Sequence, residues 1–400
     1  MKRFVFFMAL LCAAGVLNIS AVDFGAVLSG QLELDKAAEL DPDGKIILAP
    51  WLSIPIGNNG NFYFSPGLEL SFPGKDKDPV FIPELKRLDF TWQLPQMFLF
   101  RLGRIPWQDT SRFTAKGSFD GIDIVLDAGI ARLGACALYT GLLYKDSAEL
   151  NISPGDPTDY TADLDWSNFS STYFAPRRLL LSAYGDIPGL LFQRGTLAFG
   201  FLAQFDISDA EEAFHTQYFL LRYSMSYRRF DLAASGAAEL ENTSEDGLRA
   251  GFAAALETGW NVSPITDRLS LTVRWASGNG PHSAAFFPLI REAQGLVLKP
   301  WLSGMMLIAL NYEARILPSL SAEFGGRYFI RTDSTSFIDP ALNNDSYLIG
   351  MEIDGGLVWV PLSDLSFSLS GGVFMPKTGE AMKDDTPVRW SLVLGTVFSF

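Results

Sequence analysis

One face of the chain's alternating segments carries arginine and carboxylate and no lysine. The cations are Arg87, Arg101, Arg104, Arg132, Arg178, Arg222, Arg229, Arg249, Arg268, Arg274, Arg327, Arg331 and Arg389. Asp89, Asp123, Glu257, Glu323, Glu352 and Asp354 share that face. A guanidinium stays charged at any working pH and forks onto carboxylates or stacks on rings. Such a set can bind and guide anionic or hydroxyl-rich solutes. It can equally form facing pairs that satisfy one another. Both readings stay open at this point.

Catalytic chemistry has little support. The two histidines are His215 and His282, and Asp209 lies near the first, but no nucleophile is marked out beside either. A hydrolytic site would need that juxtaposition. Neither a phosphate-binding loop nor a metal-ligand cluster is present, so no cofactor and no metal are expected. The net charge of −14 argues against nucleic acid as a partner.

The elements that must position these side chains read as strands. Apolar and polar residues alternate with period two over 23–34, 45–54, 61–72, 80–93, 97–105, 119–128, 130–140, 178–187, 195–206, 215–226, 228–239, 247–260, 267–276, 301–313, 319–332, 346–359, 364–375 and 388–400. Short connections such as 55–60, 94–96, 261–266 and 360–363 alternate with long ones such as 106–118, 141–177, 278–300 and 376–387. Strands of this length joined by turns and loops in that succession predict an all-β fold: a single transmembrane antiparallel β-barrel of about 18 strands, with 16 as the alternative. The apolar rows then face lipid and the charged rows the lumen, because a lipid-facing charge at mid-depth costs a few kcal/mol. Pro50, Pro66 and Pro83 fall inside proposed strands and strain the pattern there.

Composition agrees. Hydrophobic residues make up 48% of the chain and phenylalanine alone counts 32, yet no segment past the amino terminus is an apolar run long enough for a spanning helix. Residues 1–21 carry Lys2 and Arg3, an apolar stretch and a small-residue site at Ala21, the pattern of a cleaved signal peptide. Residues 22–400 are expected to be one barrel domain, exported to the outer membrane of a diderm bacterium. The mature chain keeps one cysteine, Cys136, expected as a small lumen-facing residue, so no internal disulfide forms. Trp51, Trp92, Trp260 and Trp359 fall near one set of strand ends, and Trp107, Trp275, Trp301 and Trp390 near the other, as two interfacial girdles require. The long connections hold the acid, most densely in 141–177, where a solvated loop is the simpler reading and calcium the alternative. That loop is long enough to fold into the lumen, with Trp166, Phe169, Tyr173 and Phe174 to pack it there.

Two resemblances sharpen this. The last strand ends on Phe398 and Phe400, similar to the carboxy-terminal signal read by the barrel-assembly machinery in bacterial outer-membrane barrels. The stretch R-L-G-R-I-P-W-Q-D-T-S-R-F-T-A-K-G-S-F-D-G-I-D-I from Arg101 resembles the alginate-export family of outer-membrane porins at Gly103, Arg104, Asp120 and Gly121. Ile105 and Phe119 depart from its pattern; F-F-P-L from Phe286 resembles one of its outer loops. The resemblance implies an 18-stranded barrel with an arginine-lined lumen that passes an acidic saccharide or similar solute. Strict alternation puts Arg101 and Arg104 on opposite faces, so a bulge near Gly103 is expected if both enter the lumen. The expected partners are outer-membrane lipid, the assembly machinery and a small polar solute or oligosaccharide. A transporter of hydrophobic compounds and a surface barrel acting through its loops are the alternatives.

Overall fold

The computed structural model describes residues 22–400 except 37–39, 75–76, 96, 154–155, 157, 209–213, 244–246, 264–265, 281–282, 335–341 and 343–345. The expected signal peptide, Asp209 and His282 lie outside the described residues. Eighteen strands follow in order: β1 (Asp23–Lys36), β2 (Leu40–Ile56), β3 (Gly60–Phe72), β4 (Val80–Leu94), β5 (Phe98–Gln108), β6 (Lys116–Asp127), β7 (Arg132–Tyr139), β8 (Arg178–Gly189), β9 (Gly195–Asp206), β10 (His215–Tyr227), β11 (Phe230–Thr243), β12 (Gly247–Asn261), β13 (Asp267–Ala276), β14 (Met305–Leu317), β15 (Leu320–Arg331), β16 (Leu348–Leu362), β17 (Leu365–Pro376) and β18 (Arg389–Ser399). Each pairs antiparallel with the next, and β18 returns to β1 from Val27↔Ser399 to Lys36↔Trp390. The sheet is closed on itself, every strand pairing with a neighbour on each side. The amide of Phe400 donates to the Ala26 carbonyl at 3.0 Å and the Ala26 amide to the Phe400 carbonyl at 2.7 Å, so the last residue completes the seam.

The outward rows are apolar and exposed, for example Leu126, Leu133, Phe219, Leu221, Leu310, Phe324, Leu357 and Leu394. Only a closed ladder lets such a surface meet lipid with every strand hydrogen bond made internally. The expected boundaries need two main corrections. β2 starts earlier, at Leu40, and β14 starts later, at Met305, because Trp301–Gly304 belong to the preceding connection.

The three prolines sit where the ladder is already broken. The β2–β3 register lacks pairs between Leu48↔Leu68 and Leu52↔Phe64, around Pro50 and Pro66. In β3–β4 the register shifts at Ser65/Pro66, with Lys86 as the extra residue of a bulge. Pro83 accepts a hydrogen bond on its carbonyl from the Tyr173 hydroxyl at 2.6 Å. The nitrogen and carbonyl of one strand residue point to the same neighbour, so the missing N–H of Pro83 also faces this side. The β4–β5 ladder does not reach it, since the outermost pair is Leu88↔Arg104.

Beyond Leu88 and Arg104 the two strands part. Gly103 has φ +119, and a Cβ there would sit 2.1 Å from the Leu88 carbonyl oxygen, so only glycine fits. The expected bulge is not found: Gly103 pairs in register with Asp89 and with Gly121. Past this point the β5–β6 hairpin turns into the lumen. Trp107 packs against Phe119 and Tyr184 and is buried, which corrects its placing in an interfacial girdle.

Candidate functional site: the constricted lumen

Three connections from the long-loop end enter the barrel. Loop 109–115 is shaped by its first residue. The buried Asp109 carboxylate accepts from the backbone amides of Arg112, Thr114 and Ala115 at 2.5, 2.9 and 3.0 Å and from the Ser111 hydroxyl at 2.9 Å. Burial pushes the Asp109 carboxyl above its ordinary range, against the pull of those donors. The result is Arg112 at φ +71, a left-handed conformation that a non-glycine residue takes only when its surroundings impose it. The loop reaches β9, where the Thr110 hydroxyl donates to the Phe199 carbonyl at 3.3 Å, and Phe113 packs edge-on against Phe286 of loop 277–304.

Loop 277–304 is clamped at two posts on the wall. Glu239 accepts from the Phe287 amide at 2.7 Å. Glu352 accepts from the amides of Leu296, Val297 and Leu298 at 2.7, 3.2 and 2.8 Å. Loop 140–177 joins it through the Asn151 amide, which donates to the Leu289 carbonyl at 3.0 Å. The aromatic run expected to pack this loop lies against β4. Leu150 and Asn151 enter, but Tyr144 and Tyr173 pack with Ile82 of β4, joined by Phe169 and Phe174, and Trp166 remains exposed.

The inner face beneath these loops is therefore apolar. Leu138, Leu180, Leu202, Tyr218, Leu220, Met305, Leu307, Phe329 and Phe374 form one buried cluster with Phe286, Leu289 and Ile290. An inner row read as polar throughout is thus corrected for the long-loop half of the barrel.

The charged residues named from sequence divide by depth and burial. Asp89, Asp123, Arg178, Arg331 and Glu352 are buried among protein atoms instead of lining water. Asp123 takes Arg101 at 2.7 and 3.1 Å and the Tyr184 hydroxyl; Asp89 takes Arg87 and, at 3.1 Å, the Thr91 hydroxyl. Arg178 pairs with Asp156 and, at 3.5 Å, with Asp206. Arg331 donates to the Ser346 carbonyl, and Arg327 meets Asp354 and Glu352. Arg104 is not in the lumen. It lies on the row of Leu102, buried, with Asp120 at 2.7 and 2.8 Å, and reaches the carbonyls of Leu85 on β4 and Leu142 in loop 140–177. It bridges the place where β4 and β5 part.

Arg132, 3.5 Å from Asp127, and Arg229, on the Val262 carbonyl at 3.0 Å, sit at the short-turn rim. Arg249, bound to the Ser283 carbonyl at 2.8 Å, sits near the long-loop end. Arg389 lies half-buried on the inward row of β18, and Glu323 faces a recess at the short-turn end beside Glu313 and Arg268. His215 accepts the Asp206 amide on Nδ1 at 3.2 Å, and Cys136 is buried on the inner row.

Arg222, Glu257, Arg268 and Arg274 do come together. Arg222 donates to Ser235 at 2.7 Å and meets Glu257 at 3.2 Å, Arg274 lies 3.8 Å from Glu257 and 3.1 Å from Glu292, and Arg268 lies 3.6 Å from Asp231. Arg222, Glu257 and Arg268 border a cavity of about 700 Å³ in the short-turn half, with Arg112 at one side and Arg194 at another. Arg194 lies over the Tyr227 ring at 4.5 Å. Arg112 and Arg194 sit on connections, so a search of strand faces passes over them. The available signal for Arg112 was D-T-S-R, an aspartate and hydroxyls placed to cap a tight turn.

No family model matches the chain, and neither does any curated protein. Solved structures do match. Pseudomonas aeruginosa OccK2 (OpdF) aligns at TM-score 0.62 and 11% identity over 96% of this chain and 98% of its own. OccK8 (OprE) of the same organism aligns at 0.61 and 12% over 96% and 98%, and OpdK, solved with vanillate, at 0.61 and 11% over 96% and 99%. OccK2 has also been solved in complex with glucuronate. The neighbours are OccK outer-membrane porins, and the fold is theirs, a closed 18-stranded antiparallel barrel. These matches do not carry the resemblance to alginate-export porins, which rests on its few residues alone.

Proposed function

We propose that residues 22–400, freed from a signal peptide, form an outer-membrane channel for small polar solutes that carry a negative group. The observation that supports this most is Arg112, held at φ +71 by a buried carboxylate and turned to a cavity that Arg222 and Arg268 border. A positive charge inside a protein-walled passage attracts anions and repels cations more strongly than one free in water. Arg222 and Arg268 on the wall face Glu257 and Asp231, so they shape the field while Arg112, with Arg194 on the Tyr227 ring, adds positive charge. Glucuronate and vanillate, present in structures of OccK2 and OpdK, are small carboxylates and fit the same reading.

Swelling of proteoliposomes tests it. Glucuronate and vanillate should enter faster than an uncharged sugar of similar size, and Arg112→Ala should remove most of the difference. Equal rates for charged and uncharged solutes in the unaltered protein would count against an anion channel, and no swelling with any solute would count against a channel at all.

A further inference from the structure

We infer that the rim at the β10–β11 turn binds the phosphate of an anionic glycerophospholipid from the leaflet next to the short turns. This rests on the reading of the chain as an outer-membrane barrel. The site is organised by one ring. Tyr227 ends β10, and the Arg194 guanidinium lies over its ring at 4.5 Å and the Arg228 guanidinium at 5.3 Å. Each cation is drawn to the ring. Together they repel, because two centres this near one ring lie within about 10 Å of each other, about one screening length in 0.1 M salt. An anion that meets both offsets the repulsion.

The protein itself supplies no such anion. Apart from the ring, neither guanidinium has a partner among the described residues. Acids at this end are engaged elsewhere: Asp231 accepts the Ser226 hydroxyl at 2.7 Å and faces Arg268 at 3.6 Å, and Asp127 meets Arg132 at 3.5 Å. The connections 190–194, 228–229 and 262–266 hold no aspartate or glutamate, in a chain of net charge −14. Arg229 stands apart, since its guanidinium donates to the Val262 carbonyl at 3.0 Å.

The backbone agrees. Tyr227 pairs with Phe230, so Arg228 and Arg229 alone make the turn. Arg228 has φ +55, in a seat that glycine or asparagine ordinarily takes. An arginine kept there against that preference points to its guanidinium.

The surroundings are those of a membrane interface. Arg222 turns inward, so alternation puts Tyr227 on the outward row of the exposed Phe219 and Leu221. Phe230 and Trp260 pair across β11 and β12, are both exposed, and stack at 6.2 Å and 9°. Exposed aromatics at strand ends mark the level where headgroups meet acyl chains. Two forked cations at that level match a phosphodiester head whose chains lie along the apolar row. Arg194 also borders the lumen cavity, so it stands between the mouth and the lipid face. Arg228 is therefore the residue that separates lipid binding from permeation.

The test uses the full chain in detergent and three separate probes: phosphatidylglycerol, phosphatidylcholine and inorganic phosphate. Native mass spectrometry and thermal unfolding are the readouts. Phosphatidylglycerol should be retained and should raise the unfolding temperature, whereas the other two at equal concentration should do neither. Arg228→Glu should weaken phosphatidylglycerol retention at least tenfold, and Arg228→Lys should keep part of it. Arg228→Gln should lose retention while unfolding at the unaltered temperature without lipid, which separates lost binding from lost folding. Arg315→Glu, on the β14–β15 turn, should change nothing. Equal protection by inorganic phosphate would make this a free-anion site, and equal protection by phosphatidylcholine a generic lipid contact. Either overturns the inference, as does full retention by Arg228→Glu or an equal loss in Arg315→Glu. Single-channel current of Arg228→Glu should match the unaltered protein. Absence of anion selectivity with phosphatidylglycerol still retained would leave this site standing, and the reverse would leave the channel.

Discussion

Glu352 and Glu257 are the same residue on neighbouring faces of one lumen, yet they do different work. Glu352 is fully buried and accepts three loop amides, whereas the Glu257 side chain is 37% exposed and stands between Arg222 and Arg274 at the edge of a cavity. The contrast holds for the two halves of the barrel. Toward the long loops the inner wall is apolar and its carboxylates hold backbone in place. Toward the short turns the wall is polar and its charges face open space. In a barrel interior, the job of a charged residue is set by what docks on it.

Five changes should break or sharpen that contrast. Deleting Phe400 should act before either half exists. It removes the two backbone bonds to Ala26 that complete the β1–β18 seam, and the expected outcome is a large loss of heat-modifiable, folded barrel on gels. Arg389→Ala, nearby in sequence, should assemble normally.

Glu352→Ala should come next. It leaves three buried amides without an acceptor, each worth about 1–3 kcal/mol, and strips Arg327 of one partner. Loop 277–304 should then leave its dock, seen as a several-fold rise in single-channel conductance with added flicker. Gly103→Ala should cost about 1–3 kcal/mol, because it forces a side chain into positive φ and against the Leu88 carbonyl, and a lowered unfolding temperature would register it. The smallest effect belongs to Glu257→Gln. Conductance and stability should hold, while anion preference rises slightly as one negative group leaves the cavity.

Much of the wall could be read from the amino-acid sequence, and the reason is physical. A surface that meets lipid must be apolar on every second residue, so rows such as Leu392 and Leu394 write the strands plainly. Strand number, closure of β18 on β1 and most boundaries followed from that period. The inner face has no such rule. Leu180, Leu202 and Leu220 fall on inward rows because loops cover them, and nothing in their own segments announces a cover supplied by a distant connection. Arg104 shows the same gap. Its side of the sheet follows from alternation, but its role depends on where the β4–β5 ladder ends. Arg112 was hidden in a different way, since its placement comes from an aspartate-capped turn and not from any strand period.

The central claim is that Arg112 sets the sign of the constriction. The zero-current potential of the full chain in a planar bilayer, under a tenfold potassium chloride gradient, measures it most directly. A clear anion-selective potential is expected for the unaltered protein, moving to near zero or beyond in Arg112→Ala, with conductance maintained or increased. A cation-selective potential, or the same anion selectivity with and without the Arg112 guanidinium, would contradict it.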